Sequence, residues 1–347
     1  MKHERELLAK TTEIFQKVDQ KLDPYPSCIE IYPTDICNQR CSYCFHGGEG
    51  FGKQRDIKRF MQVEDYAVLF KEMADLNIDI LSISGGGEPF LFKGIVGVID
   101  QAIANNLRVR IVTNGNFISP EAIDRILQCE EIRFSIDTPD PETYSRIRKI
   151  PASLHQKTLD NIVGLVEARQ QRGGNVDIGS TCIIGSDNVA QLTQFADLML
   201  DQLGIDKVVF KYDIYGEFAA DASYRAGVDS QLKTAKLQHG DKVEIRPELP
   251  DFQTGLPCIV PYFKSAINPY GELYSCCLGA QPKEVNGYKL GNVADNIRKG
   301  KTNPLETVWK ESRDIRLSML KKVACTSCNF TDRNINLQYT EHSNRKG

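Results

Sequence analysis

Eleven cysteines stand among 347 residues, and seven of them fall into two groups. The first, Cys37-Asn38-Gln39-Arg40-Cys41-Ser42-Tyr43-Cys44, gathers three thiols on one short segment. Three thiolates can hold three irons of a cubane [4Fe-4S] cluster, whose usual complement is four cysteines. The absent fourth leaves one iron open to a ligand from outside the chain. Zinc prefers a closed set of four ligands, and His46 is the single nearby residue that could complete one. The second group is Cys258, Cys276, Cys325 and Cys328. Spacing alone suits it to an iron–sulfur cluster or to a structural zinc, with Cys277 an alternative to Cys276. Of the rest, Cys28 and Cys129 read as small buried hydrophobes.

Bulk composition narrows where such thiols work. Lys and Arg number 43 against 46 Asp and Glu, a balance that advertises neither nucleic acid nor an anionic membrane as partner. The charged start, MKHERELLAKTTEIF, lacks the apolar core of a signal peptide, and no apolar run is long enough to span a bilayer. The expected location is therefore cytoplasmic. Disulfides seldom persist there, so clustered thiols point to metal or catalysis.

The elements that must position these residues follow from periodicity. Residues 1–22 read as an N-terminal helix and 23–225 as a core in which strands alternate with amphipathic helices. SCIEIYP, DILSIS, LRVRIVTNG, EIRFSID, VDIGSTCII and KVVFKYD are the strands. Ser119 and Pro120 mark the start of one helix. Repeated strand–helix units imply a parallel sheet with right-handed crossovers, here an α/β fold forming a partial (β/α)6 barrel. Chemistry in such folds gathers at the C-terminal ends of the strands. The cysteine loop, Gly85–Pro89, Thr113–Gly115 and Asp137 all fall there, so one shared pocket is expected. Residues 226–250, including VDSQLKTAKLQHGDK, read as a linker. Residues 251–347 read as a small α+β domain with a hairpin turning at Asn268-Pro269-Tyr270-Gly271 and a helix near 304–321.

The first cluster, with Tyr43 before its last cysteine, resembles the CxxxCxxC signature of the radical S-adenosylmethionine (SAM) superfamily. Later motifs fall in that family's order. Ser84-Gly85-Gly86-Gly87-Glu88-Pro89 looks like its GGE motif, which implies that Gly86, Gly87 and Glu88 meet the methionine amino group of SAM. Glycines there let backbone approach the ligand. Thr113-Asn114 and Ser135-Ile136-Asp137 resemble two further strand ends that line the SAM site, and Arg146 or Arg148 could meet the SAM carboxylate. The second cysteine group, with Gly291-Asn292-Val293 and Trp309, resembles the SPASM/Twitch extension of the family. No cysteine follows Cys328, which favours the shorter Twitch form with one auxiliary [4Fe-4S] cluster. The resemblance thus implies two [4Fe-4S] clusters and SAM as cofactors, and an external one-electron reductant of the flavodoxin or ferredoxin type.

The substrate is less legible. The resemblance implies reductive cleavage of SAM to a 5′-deoxyadenosyl radical that abstracts a substrate hydrogen atom. The leading expectation is oxidation or epimerisation of a natural-product intermediate, a small polyol- or aminocyclitol-like molecule or a peptide. An alternative is a peptide maturase that cross-links a ribosomally made precursor. A different class is a zinc-binding interaction module without turnover. Cys182, unclaimed by either cluster, is a candidate hydrogen-atom donor in epimerisation. Asp213 and Glu217, after the strand VVFKY, are candidates for substrate contact or proton transfer.

Overall fold

The computed structural model describes residues 10–44, 56–212, 222–246, 257–280, 288–321 and 330–344. Asp213, Glu217, Cys325, Cys328 and His46 lie outside the described residues.

After helix α1 (Thr11–Asp19), strands and helices alternate as β1 (Cys28–Ile31), α2 (Val63–Asp75), β2 (Ile80–Ile83), α3 (Ile95–Ala104), β3 (Arg108–Thr113), α4 (Pro120–Ile126) and β4 (Glu131–Ser135). Two helices, α5 (Pro141–Arg148) and α6 (Ser153–Arg172), precede β5 (Asp177–Ile184), and α7 (Leu192–Asp197) precedes β6 (Lys207–Tyr212). Local chemistry sets several starts. Ser119 accepts a hydrogen bond from Ala122 N ahead of Pro120, and Asp140 accepts one from Thr143 N at 2.7 Å ahead of Pro141.

The strands β1 to β6 run parallel, in register, in chain order. Their pleat sorts side chains onto two faces. Ile29, Ile31, Leu81, Ile83, Val109, Ile111, Ile132, Phe134 and Ile178 join helix residues such as Tyr66, Phe70 and Ile99 in one buried core. Each such side chain contributes about 1.5–3 kcal/mol by leaving water. The alternate positions, Glu30, Ser82, Arg110, Arg133, Ser135, Thr181 and Lys211, are polar and fall on the concave face. A partial barrel with a hydrophobic outside layer and a polar inside follows directly from that alternation.

The stretch read as a linker is structured. Helix α8 (Ala222–His239) leads to β7 (Val243–Arg246), which adds a seventh parallel strand beside β6. Val228, Leu232 and Ala235 are buried. Their spacing of four and three places them on one face of an otherwise polar helix, and that polarity disguised it.

The C-terminal region is small and α+β, and it extends the same sheet. Strand β8 (Lys264–Ile267) pairs parallel with β1, and β9 (Glu272–Tyr274) and β10 (Lys289–Asn292) follow antiparallel. The β8–β9 turn is the expected one, with Gly271 at φ +78° where a Cβ would lie 2.2 Å from that of Ala294. Helix α9 (Val293–Arg298) starts at Asn292, whose side chain accepts from Asp295 N. The single helix expected near 304–321 is two, α10 (Pro304–Glu311) and α11 (Arg313–Met319), parted at Ser312. The Ser312 hydroxyl bonds back to the Val308 carbonyl at 2.8 Å, a local bond that competes with the helix ladder. Glu72 of α2 ties this region to the core by accepting from Leu305 N and Glu306 N, both at 2.8 Å. Helix α12 (Phe330–Asn344) closes the described chain. No helix among the described residues is long and apolar enough to cross a membrane.

Candidate cluster and cofactor site

The cysteine loop leaves β1 and is held on both sides by backbone. Thr34 O accepts from Gly87 N at 3.0 Å and Ile36 O from Glu88 N at 2.8 Å. On the far side Arg40 N donates to Arg148 O and Ser42 N to Ile147 O. Beneath the loop lies a web of amides. Asn114 Nδ2 donates to Asn38 Oδ1 at 2.7 Å, and Asn38 Nδ2 and Gln39 Nε2 both donate to Asn116 Oδ1. Asn116 in turn donates to Thr158 on α6 at 2.6 Å. The loop is thereby fixed to β2, β3, α5 and α6 before any ligand binds.

A cavity of about 290 Å³ opens between this loop and the strand ends. Cys37, Cys41, Tyr43 and Cys44 line it from the loop, and Gly86, Gly87 and Glu88 from the end of β2. Thr113 and Asn114 of β3, Ser135 and Asp137 of β4, and Arg148 of α5 complete the expected set. Arg133, Thr181, Ile183 and Lys211 also line it, from the concave face.

Two buried charge arrangements organise this cavity. Arg148 Nη2 lies 2.6 Å from Asp137 Oδ2, the two side chains 4% and 0% exposed. The same carboxylate accepts from the Tyr43 hydroxyl at 2.8 Å and from Ile183 N at 2.9 Å. Arg148 also reaches the Cys41 sulfur at 3.5 Å. Burial raises the pKa of the Cys41 thiol, while the Arg148 cation works against that rise. Arg146, the other arginine considered from sequence, is exposed and faces Asp187 at 3.6 Å. The second arrangement is Glu88. Its two oxygens accept from the Thr113 hydroxyl at 2.7 Å, Asn114 N at 2.7 Å and Phe90 N at 3.1 Å. Burial raises its pKa, opposed by those bonds. The carboxylate thus clamps the ends of β2 and β3 together.

Replacing Glu88 by Gln keeps the shape and sets an N–H donor against a backbone N–H. At about 1–3 kcal/mol for a buried polar group left unsatisfied, Glu88→Gln lowers the urea midpoint and weakens SAM binding in equilibrium dialysis. Unchanged values for both would remove the clamp from the account.

Cys182 requires a correction. A hydrogen-atom donor to a bound substrate has to face the cavity, but the pleat turns Cys182 the other way. Its neighbours Thr181 and Ile183 line the cavity, whereas Cys182 is fully buried in the helix-covered core and its thiol donates to the Asp137 carbonyl at 3.3 Å.

In the C-terminal region the structure separates the adjacent thiols. Cys276 packs with Cys258, Val260 and Met319. Cys277 packs instead with Tyr32, Ala266 and Ala280. Cys258 and Cys276 are therefore brought together, on the side where Met319 O accepts from Cys258 N at 2.8 Å. Gly291 passes so close to α10 that a Cβ would meet Val308 Cγ1 at 2.7 Å.

The N-terminal donor set fits an iron–sulfur cluster. Among the described residues, three thiols and no fourth face the N-terminal cavity, matching a cubane with one open iron. Gly87 leaves no room for a side chain where β2 meets the loop. Sequence reasoning passed over Asn38, Gln39, Asn116 and Arg133. The two polar residues between Cys37 and Arg40, and an asparagine directly after Asn114-Gly115, were the available signal.

Comparison with known proteins agrees with this geometry. Residues 31–196 match the radical SAM superfamily, and residues 258–329 match the SPASM iron-sulfur cluster-binding domain. The chain belongs to the radical SAM superfamily and carries a C-terminal SPASM/Twitch-type auxiliary-cluster domain. A GTP 3′,8-cyclase from Peptoclostridium acidaminophilum is 28% identical over 178 residues, half of this chain and 51% of that protein's length. The mycofactocin maturase MftC from Mycolicibacterium smegmatis is 23% identical over 337 residues, covering 92% of this chain and 79% of that one. The structure of Streptococcus suis SuiB bound to its precursor peptide SuiA shares the fold, with a TM-score of 0.63 at 15% identity over 90% of this chain and 70% of that one.

The architecture is that of an enzyme with two [4Fe-4S] clusters and SAM. Cys37, Cys41 and Cys44 would hold the N-terminal cluster beside SAM, and these groups would supply one-electron radical chemistry at the cavity. The chain's own part is to hold and orient. The amide web and the Gly87 contact fix the cysteine loop, the Arg148–Asp137 pair fixes Tyr43, and Glu88 fixes the β2 and β3 ends.

Proposed function

We propose that the chain is a radical SAM maturase acting on a peptide, forming a cross-link or another oxidised product at an unactivated C–H bond. The observation that carries this reading is the match to the mycofactocin maturase, which extends over 92% of this chain. A GTP 3′,8-cyclase from Haemophilus influenzae, also 23% identical, covers 73% of this chain, less than the maturase does. The likeness in fold to SuiB runs in the same direction. Oxidation or epimerisation of a polyol- or aminocyclitol-like intermediate takes second place. Without Cys182 on the cavity, its epimerase branch lacks the donor assigned to it.

In this reading Cys37, Cys41 and Cys44 hold the SAM cluster. Gly86 and Gly87 offer backbone to SAM, and Thr113, Asn114, Ser135, Asp137 and Tyr43 shape its pocket. Arg148 acts by pairing with Asp137. Cys258 and Cys276 hold the auxiliary cluster together with Cys325 and Cys328. The core extends through Arg246, because β7 completes its sheet, and a flavodoxin or ferredoxin supplies electrons in the cytoplasm. Lys211, at the mouth of the cavity on β6, contacts substrate. Asp213 and Glu217 keep the roles expected of them, substrate contact or proton transfer.

The test is to reconstitute the chain anaerobically with iron and sulfide, reduce it with dithionite, and add SAM with either synthetic peptides from the short reading frames flanking its gene or a panel of polyols and aminocyclitols. The expected outcome is peptide-dependent 5′-deoxyadenosine and a peptide mass lower by two hydrogens. Turnover of a polyol with an unchanged peptide would move the assignment to small-molecule oxidation. Bound zinc without SAM cleavage would leave a metal-stabilised binding module.

A further inference from the structure

The last turn of α5 is fastened to the cysteine loop on both sides of Cys41. Arg40 N donates to Arg148 O at 3.1 Å, and Ser42 N donates to Ile147 O at 2.9 Å. Lys149 then ends the helix in the left-handed region, at φ +53°. These backbone bonds fix where the Arg148 side chain begins, and its far end reaches the middle one of the three thiols. Nη1 lies 3.5 Å from the Cys41 sulfur and 3.4 Å from Gln39 Oε1. The guanidinium carbon stands 5.6 Å from the centre of the Tyr43 ring and 6.0 Å from that of Tyr144. Aromatic faces at such distances favour a cation.

The fold by itself gains little from this charge. Arg148 Nη2 is paired with Asp137, but the buried Nε meets no hydrogen-bond acceptor among the described residues. A buried ion pair repays its lost hydration only when its remaining N–H groups are answered. Gln39 adds a second observation. As a thiol, Cys41 donates to Gln39 Oε1 at 3.5 Å, the oxygen that Arg148 Nη1 also faces. A thiolate bound to iron has no hydrogen to give. Ligation therefore frees Gln39 Oε1 from Cys41 and leaves the sulfur able only to accept, with Arg148 Nη1 facing it.

We propose that Arg148 is a positioning residue that sets the reduction potential of the N-terminal cluster, holding a fixed positive charge and an N–H donor against the Cys41 sulfur. In reduction the external carrier gives up one electron, the cluster gains it, and no proton moves. The sulfur ligands become more negative in that step. A buried cation touching one of them stabilises the reduced form and raises the potential. Asp137 holds the guanidinium in place through Nη2 and, as an anion, works against it, which keeps the potential from rising further. This role rests on Cys37, Cys41 and Cys44 holding the cluster and is independent of the substrate.

The experiment is an EPR titration of the full reconstituted chain against applied potential, without SAM or substrate. The signal absent from protein carrying Cys37→Ala, Cys41→Ala and Cys44→Ala is that of the N-terminal cluster, and its midpoint is followed. Arg148→Met is expected to lower the midpoint, Arg148→Lys to recover part of the loss, and Asp137→Asn to raise it. A midpoint in Arg148→Met that does not fall, at parent iron content, overturns the inference, as does a lysine variant that falls as far as the methionine one. If Arg148→Met does not retain iron, Asp137→Asn decides: a rise supports the inference, and any other result overturns it. If the triple cysteine variant keeps every signal and all of the iron, the cluster assignment itself fails, which the iron count separates from the other outcomes.

Discussion

Changing Cys37, Cys41 and Cys44 together to alanine is expected to abolish SAM cleavage and to remove about half of the iron, because two cubanes share it equally. The three thiols are the whole soft-donor set on the cavity wall among the described residues. Nothing else there replaces them: Glu88 is spent on Thr113, Asn114 and Phe90, and Asp137 on Arg148 and Tyr43. Each single change to alanine is expected to stop cleavage as well, since two thiols cannot seat a cluster that must keep one iron open. Cys182→Ala is the contrast. It removes a buried sulfur from the helix-covered face and lowers stability, but cleavage persists. The readouts are iron per chain and 5′-deoxyadenosine after reduction with dithionite. Cleavage surviving in the triple variant would place the SAM-binding iron elsewhere. An epimerised product lost in Cys182→Ala, with cleavage and iron content intact, would return that thiol to the chemistry.

The contrast also marks how far the sequence could be read. Cys37, Cys41 and Cys44 are legible because a cluster-binding loop is a local object: spacing on a short segment decides what the thiols can share. The strand ends bearing Glu88, Thr113, Asn114, Ser135 and Asp137 are legible for a related reason, since β-branched runs broken by glycine or a helix start announce where each strand stops. Cys182 was placed on the correct strand and the opposite face. A one-residue difference in pleat phase decides between cavity and core, and VDIGSTCII is apolar enough on both faces to hide it.

Long-range pairing was the other blind spot. Arg146 and Arg148 stand two apart on one short helix, and their sequence context is nearly the same. What separates them is Asp137 on β4, which meets one and leaves the other to Asp187 at the surface. Lys264 and Asp332 are likewise far apart in the chain and meet where α12 crosses the sheet. Burying a charge is costly unless a partner is supplied, so each such pair requires two distant elements to be placed before either residue has a role. Helix α8 failed to stand out for a different reason. Its buried face rests on Val228, Leu232 and Ala235, and the Asp, Ser, Gln, Lys and Thr between them read as a linker.

Gly87→Ala is expected to be the most damaging single change outside the cysteines. An added methyl at position 87 would lie 2.2 Å from Ile36 O and 2.6 Å from Ile36 N. Both are backbone atoms, so no rotamer change relieves the overlap. Gly87 N and Glu88 N also donate to Thr34 O and Ile36 O, so separating the loops breaks the bonds that seat the cysteine loop. Overpacking of this kind costs about 1–3 kcal/mol where the surroundings can shift, and here the shift moves Cys37 itself. The variant is expected to unfold at lower urea, to bind SAM weakly, and to lose the N-terminal cluster while the auxiliary iron remains. Gly85→Ala sets the scale: its φ of +151° disfavours a side chain, but the nearest atom is Tyr32 Cβ at 3.4 Å, so its defect should be smaller and spare the iron. Iron content and SAM affinity at parent values in Gly87→Ala would mean that the cysteine loop is held by the amide web around Asn116 alone. Loss of iron in that variant at nearly unchanged global stability would instead locate the whole effect in the approach of the two loops, the geometry that keeps three thiols on one side of the cavity.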